Sequence, residues 1–213
     1  MWTHSLRALV VWLLMAAPAA AATLDIAVTD SGGKPVPNAV ITITPDEGSL
    51  ATRVPASVKI DQRNEAFVPL VVVVRKGGEV VFTNSDTTMH QVYSFSAAKQ
   101  FELEVDKGQT SKPVIFDKVG VAAVGCNIHD KMIAHVVVTD APLAVITDNN
   151  GHAQIRDMPA GAFHATVWHK QLPTGKPLAS AALNVSGDSA KFSASLPFKV
   201  AAPNPTMRMH MDY

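Results

Sequence analysis

Three residues of this 213-residue chain, Cys126, His129 and Met132, fall at three-residue intervals in Gly125-Cys126-Asn127-Ile128-His129-Asp130-Lys131-Met132, and a fourth of interest, His90, lies upstream. A thiolate and two imidazoles bind copper well, and a thioether is a weak, soft additional donor. Such a set suits one-electron traffic. A scaffold that holds one compromise geometry for Cu(II) and Cu(I) leaves little to rearrange when an electron arrives. Zinc also takes Cys and His, but a thioether is not among its usual ligands. Each residue alone has a plainer use: an unpaired Cys is often a small buried hydrophobe, and a His is often a satisfied polar side chain. The order and spacing of four donors make them a candidate metal set.

Other candidates are weaker. His135 sits three residues past Met132 and reads as a neighbour of the site rather than a ligand. Met89 adjoins His90 and reads as a packing residue, a rival axial donor only in principle. His152, His164 and His169 read as ordinary surface or edge residues. There is no Ser/His/Asp pattern, phosphate loop or carboxylate pair.

The elements that must position the four donors are strands. Residues 24–28 and 40–44 alternate apolar with small or polar side chains, the period of a half-buried strand, and Asp30-Ser31-Gly32-Gly33-Lys34-Pro35 turns the chain between them. Residues 68–74 are a β-branched run interrupted by Pro69, and Gly77-Gly78 leads into 79–83. Further strands are expected at 91–95, 101–105, 114–116, 119–124 and 133–139. No helical period of useful length appears. Short strands separated by turns predict a sandwich or barrel. The loop with Cys126, His129 and Met132 joins two adjacent strands, and His90 begins another.

A second set of strands follows at 143–147, 153–156 and 163–168, with turns at Asp148-Asn149-Asn150-Gly151 and Met158-Pro159-Ala160-Gly161. These turns resemble those of carboxypeptidase-regulatory-like, prealbumin-type β-sandwiches. The opening motif of such modules resembles residues 28–40, about a hundred residues earlier. The resemblance implies a module split by an insertion: 23–55 plus 141–200 form the outer unit, and 56–140 the inserted one.

The inserted part resembles the cupredoxins, of the amicyanin and plastocyanin type. Residues 126–138 follow the amicyanin ligand loop in register, ending in Val136-Val137-Val138, and Asn84-Ser85-Asp86-Thr87-Thr88-Met89-His90-Gln91-Val92 resembles the segment around the family's first His ligand. The resemblance implies an all-β chain: a Greek-key cupredoxin sandwich inserted in or joined to a small prealbumin-like sandwich. It implies one type 1 (blue) copper on His90, Cys126, His129 and Met132, with the His129 edge near the surface and His90 buried. The whole chain also resembles exported proteins labelled methylamine-utilisation-like. Two departures bear on the site. Gln91 replaces an Asn that ties the two ligand segments in many cupredoxins, which puts that tie in doubt. Ile128 and Asp130 replace prolines, which implies a less stiff loop with a more polar rim.

Residues 1–22 read as a secretory signal peptide: Arg7, an apolar run, then small residues with Ala20 and Ala22 at the −3 and −1 positions. The expected location is the periplasm, with no membrane span after removal. Lys plus Arg number 18, as do Asp plus Glu, and loss of Arg7 leaves one net negative charge. That balance carries no footprint for nucleic acid. The only cysteine is Cys126, so no disulfide forms within the chain. Residues 201–213 read as a flexible tail with Met207, Met209, His210 and Met211. The expected function is electron transfer between redox partner proteins, without enzymatic turnover. The alternative is a copper carrier or chaperone, favoured by thioethers in the tail. A copper enzyme needs an open coordination position, and no residues beyond the four donors are available to assist one.

Overall fold

The computed structural model describes residues 21–172 and 181–200. The expected signal peptide (save Ala21 and Ala22) and the expected Met/His tail lie outside them. Among the described residues there are sixteen strands and no helix. In chain order they are β1 (Ala22–Asp30), β2 (Val40–Pro45), β3 (Ser57–Gln62), β4 (Phe67–Val68), β5 (Val71–Arg75), β6 (Gly78–Asn84), β7 (His90–Ser96), β8 (Lys99–Val105), β9 (Val114–Phe116), β10 (Gly120–Cys126), β11 (Ile133–Thr139), β12 (Leu143–Ile146), β13 (His152–Met158), β14 (Gly161–Trp168), β15 (Ala181–Val185) and β16 (Ser189–Leu196).

The strands build four sheets, ordered β13-β1-β16, β12-β2-β14-β15, β5-β11-β10-β7-β8 and β4-β3-β6-β9. Strict alternation along β1 puts Leu24, Ile26 and Val28 into a core with Ile41, Ile43, Phe163 and Phe192, which joins the first two sheets. A second core joins the last two: Ile60, Phe67, Phe82, Val92, Phe116, Val124, Val136 and the candidate ligands Cys126 and Met132. A third cluster of Val40, Val71, Val73, Val137 and Trp168 lies between the second and third sheets. Four sheets therefore stack in series, and the two middle ones cover each other where β2 and β14 meet β5 and β11.

The valine run follows from this stacking. β5 lies parallel to β11. Its Val72 and Val74 face the core that holds Cys126, and Val71 and Val73 face Val40 and Trp168 of the second sheet. A strand buried on both faces is continuously apolar rather than alternating. Pro69 has no N–H to donate, and the chain changes sheets there: β4 pairs with β3, whereas β5 pairs with β11. Residues 68–74 are thus two strands in two sheets, not one.

β1 and β2, from the start of the chain, pair with β13, β16, β12 and β14 from its end. The seam is held at two points. Gly151 (φ +71°) brings its backbone against residues 28–36, where a Cβ would lie 2.5 Å from the Val28 carbonyl oxygen. The buried Thr147 hydroxyl accepts from the Ala39 N–H (2.9 Å) and donates to the Val36 carbonyl (2.7 Å). Composition alone missed β3, β15 and β16. β3 reads Ser-Val-Lys-Ile-Asp-Gln, with too few apolar residues to stand out, yet Ile60 is fully buried.

His169 corrects the sequence expectation of a surface or edge residue. It is only 4% exposed, and its ring stacks on Phe198 at 4.9 Å. Desolvation, with the neighbouring Lys170 charge, lowers its pKa from 6.5 to about 4. His152 is exposed and His164 pairs at the surface with Asp46 (2.9 Å).

Two outcomes follow. Thr147→Val keeps the shape but leaves the Val36 carbonyl and Ala39 N–H without their partner, so urea denaturation should show a loss of about 1–3 kcal/mol. For His169, the unfolded chain binds more protons than the folded one between pH 6.5 and about 4. Stability should therefore fall as pH drops through that window, with no contribution from this group above it. Midpoints measured across the window should fall less steeply for His169→Gln.

Candidate metal centre

β10 and β11 are an antiparallel pair, and the turn between them carries His129. Cys126 ends β10 on its inward face, in line with Ala122 and Val124. Cys126 lies opposite Val92 in β7, which begins at the inward-facing His90. Met132 caps the turn, its N–H donating to the His129 carbonyl (3.0 Å). His90, Cys126 and Met132 are 0%, 3% and 1% exposed, whereas the His129 side chain is 23% exposed. The buried first histidine and the surface-reaching second match the expectation.

His90 Nδ1 lies 3.6 Å from Cys126 Sγ, and the two imidazole centroids are 5.1 Å apart. The donor atoms of His90, Cys126 and His129 all lie within 4.8 Å of one another. The outer nitrogens are otherwise engaged. His90 Nε2 hydrogen-bonds Asp86 Oδ2 at 2.9 Å, and His129 Nε2 faces Glu65 Oε1 at 3.7 Å. His129 Nδ1, in contrast, is buried with no hydrogen-bonding partner. Buried polar atoms are normally satisfied. An orphaned imidazole nitrogen beside a thiol and a second imidazole nitrogen is what a metal would complete. Nitrogen, thiolate and a buried thioether in the same core are the donor set of a blue-copper site.

The surroundings hold the two ligand segments together. The Asn127 N–H donates to the Gln91 carbonyl (3.0 Å) and its side-chain amide to Gln91 Oε1 (3.0 Å). The tie placed in doubt by Gln91 is therefore made, with Gln91 also donating to Glu102 (2.8 Å). Gly125 lets the Tyr93 ring close over the strand beside Cys126, where a Cβ would sit 2.8 Å from it. Asn84 shapes the segment before His90: its amide donates to the Thr88 and Val105 carbonyls (both 2.8 Å), and its Oδ1 accepts from the Asp86 N–H (2.9 Å).

Asp86 and Glu65 were not found in the sequence. Burial raises the Asp86 pKa, but hydrogen bonds from the Glu65 N–H, His90 and the Asn64 N–H outweigh it and hold the group below the ordinary carboxylate value. Asp86 is therefore a carboxylate. Its position four residues before His90 was the one available signal. Glu65 comes from the turn between β3 and β4, remote in sequence. His135 points away from the metal centre, and its ring lies 5.4 Å from Trp168. Met89 is 38% exposed rather than packed.

No family model matches the chain, and no curated protein matches it. Solved structures do. A purple cupredoxin from Nitrosopumilus maritimus is 21% identical, covering 38% of this chain and 99% of that one, with a TM-score of 0.35. Amicyanin from Paracoccus versutus is 20% identical, covering 46% of this chain and 98% of that one, with a TM-score of 0.36. A copper-containing nitrite reductase from Thermus scotoductus is 20% identical, covering 55% of this chain but 28% of that one, with a TM-score of 0.38. Independently of these, the facing sheets and the donor cluster at one end are the arrangement expected from the cupredoxin resemblance.

Proposed function

We propose that the protein is a periplasmic electron carrier with one type 1 copper bound by His90, Cys126, His129 and Met132. The orphaned, buried Nδ1 of His129, facing Cys126 and His90, carries this reading. Bound copper would supply a one-electron Cu(II)/Cu(I) couple. The chain's residues do the rest: strand ladders hold Cys126 and His90, and the tied loop holds His129 and Met132. The buried donors keep water and substrate away, which favours carriage of electrons over turnover.

The partly exposed edge of His129 is the route outward. Met89, Ile128 and Ile133, each next to a ligand in sequence, are 38%, 47% and 52% exposed. Apolar surface beside the exposed imidazole suits brief docking of a redox protein. Ile128 makes this rim less polar than its neighbour Asp130 alone suggested. In the same reading, residues 1–22 are an export signal, and the unit of 23–55 and 141–200 is a prealbumin-type sandwich around the inserted 56–140.

Adding Cu(II) to the purified protein should give one bound equivalent and intense visible absorption. Cys126→Ser should abolish the colour. Met132→Gln should keep copper and colour but lower the reduction potential, because an oxygen donor favours Cu(II). A wild type that never colours, or a coloured Cys126→Ser, would sink the assignment.

A further inference from the structure

The turn between β3 and β4 is built in an unusual way. The Arg63 and Ala66 backbones hydrogen-bond each other in both directions, leaving a two-residue loop of Asn64 and Glu65, both at φ 54°. Hairpins of this type call for left-handed residues and favour Gly at the second position. Glu65 stands there instead, in a conformation that costs a residue with a Cβ. The loop is used by the metal centre. Both of its N–H groups donate to Asp86, Asn64 to Oδ1 and Glu65 to Oδ2. Asp86 Oδ2 also takes the outer nitrogen of His90, and the Glu65 side chain faces the outer nitrogen of His129.

We propose that Asp86, gripped by the Asn64–Glu65 turn, is a positioning residue that locks the His90 ring with Nδ1 inward and biases bound copper toward Cu(II). The proposal rests on the copper reading above. A carboxylate on the far nitrogen of a ligating imidazole fixes its tautomer and raises its basicity. A fixed negative charge also favours the more positive oxidation state. The two carboxylates are not equal. Asp86 is 2.9 Å from its imidazole with a side chain 12% exposed, whereas Glu65 is 3.7 Å away and 69% exposed. Solvent screens the second far more, so Asp86 dominates and Glu65 contributes chiefly through its backbone.

Two measurements decide this. In the metal-free protein, long-range ¹H–¹⁵N NMR should show His90 with the proton on Nε2, and Asp86→Ala should release it to a mixture of tautomers. In the copper-loaded protein, Asp86→Asn keeps an acceptor but removes the charge. It should retain blue absorption while its preference for Cu(II) over Cu(I) drops about tenfold, a rise of about 59 mV for one electron. Glu65→Gln, which keeps the turn, should move the potential much less. A wild-type His90 protonated on Nδ1, or an Asp86→Asn protein with wild-type potential, would overturn the proposal. If Asp86→Ala fails to fold, the Asp86→Asn potential still decides. A wild type that takes no copper fails the copper reading instead, and the metal-free NMR then decides the tautomer lock by itself.

Discussion

A buried imidazole nitrogen with nothing to bond is the constraint around which the rest of this structure is arranged. His129 Nδ1 is the atom in question, on a ring that clusters with His90 and Cys126. Polar donors brought together inside an apolar core cost free energy unless something binds them. The protein meets that cost with rigid geometry. Ladders on both sides of Cys126, the Gln91–Asn127 tie and the Asn84 hydrogen bonds leave the donors little freedom to turn toward water. A flexible loop would let each donor find its own solvent partner. A metal ion converts the convergence from a cost into a gain, and part of its binding energy then stabilises the fold.

The same rigidity explains the stacking. β10 and β11, which carry the ligand turn, belong to a sheet covered on one face by the ligand core and, along β5 and β11, on the other by Val40 and Trp168. Val40, Trp168 and their neighbours brace the β5 and β11 end of the ligand sheet on its second face, where Val71, Val73 and Val137 are buried. His135 takes part in this covering. It lies on the face of β11 opposite Ala134 and Val136, against Trp168, so it supports the sheet that carries the site without approaching the metal.

The donors were legible because residue type and spacing are properties of the sequence itself. Cys126, His129 and Met132 lie in one short segment, and the strands at 91–95, 119–124 and 133–139 stand out as short runs between turns. The groups that hold the outer nitrogens of the two histidines were not legible. Asp86 is an ordinary loop aspartate until folding places the Asn64–Glu65 turn against it, and that turn comes from β3, a strand with little apolar signal. His169 illustrates the same limit: nothing local says that Phe198, 29 residues later, will stack on it. The valine run was visible, but only the stacking explains why it does not alternate and why Pro69 divides it between sheets.

The sheets around the two large cores are not independent of one another. Val71, Val73 and Val137 turn outward from the ligand core and are buried only because Val40 and Trp168 lie against them. Excised, residues 56–140 would present that face to water as a contiguous apolar patch, a known mark of association. The sheet containing β2 and β14 has a matching dependence, since Val40 and Trp168 would be uncovered as well. Each of these two sheets thus completes the other, through a shared valine layer on the side of β11 away from the candidate ligands. The end that carries the candidate ligands stays free of this contact, and the His129 edge and the Ile128 and Ile133 side chains are left exposed there.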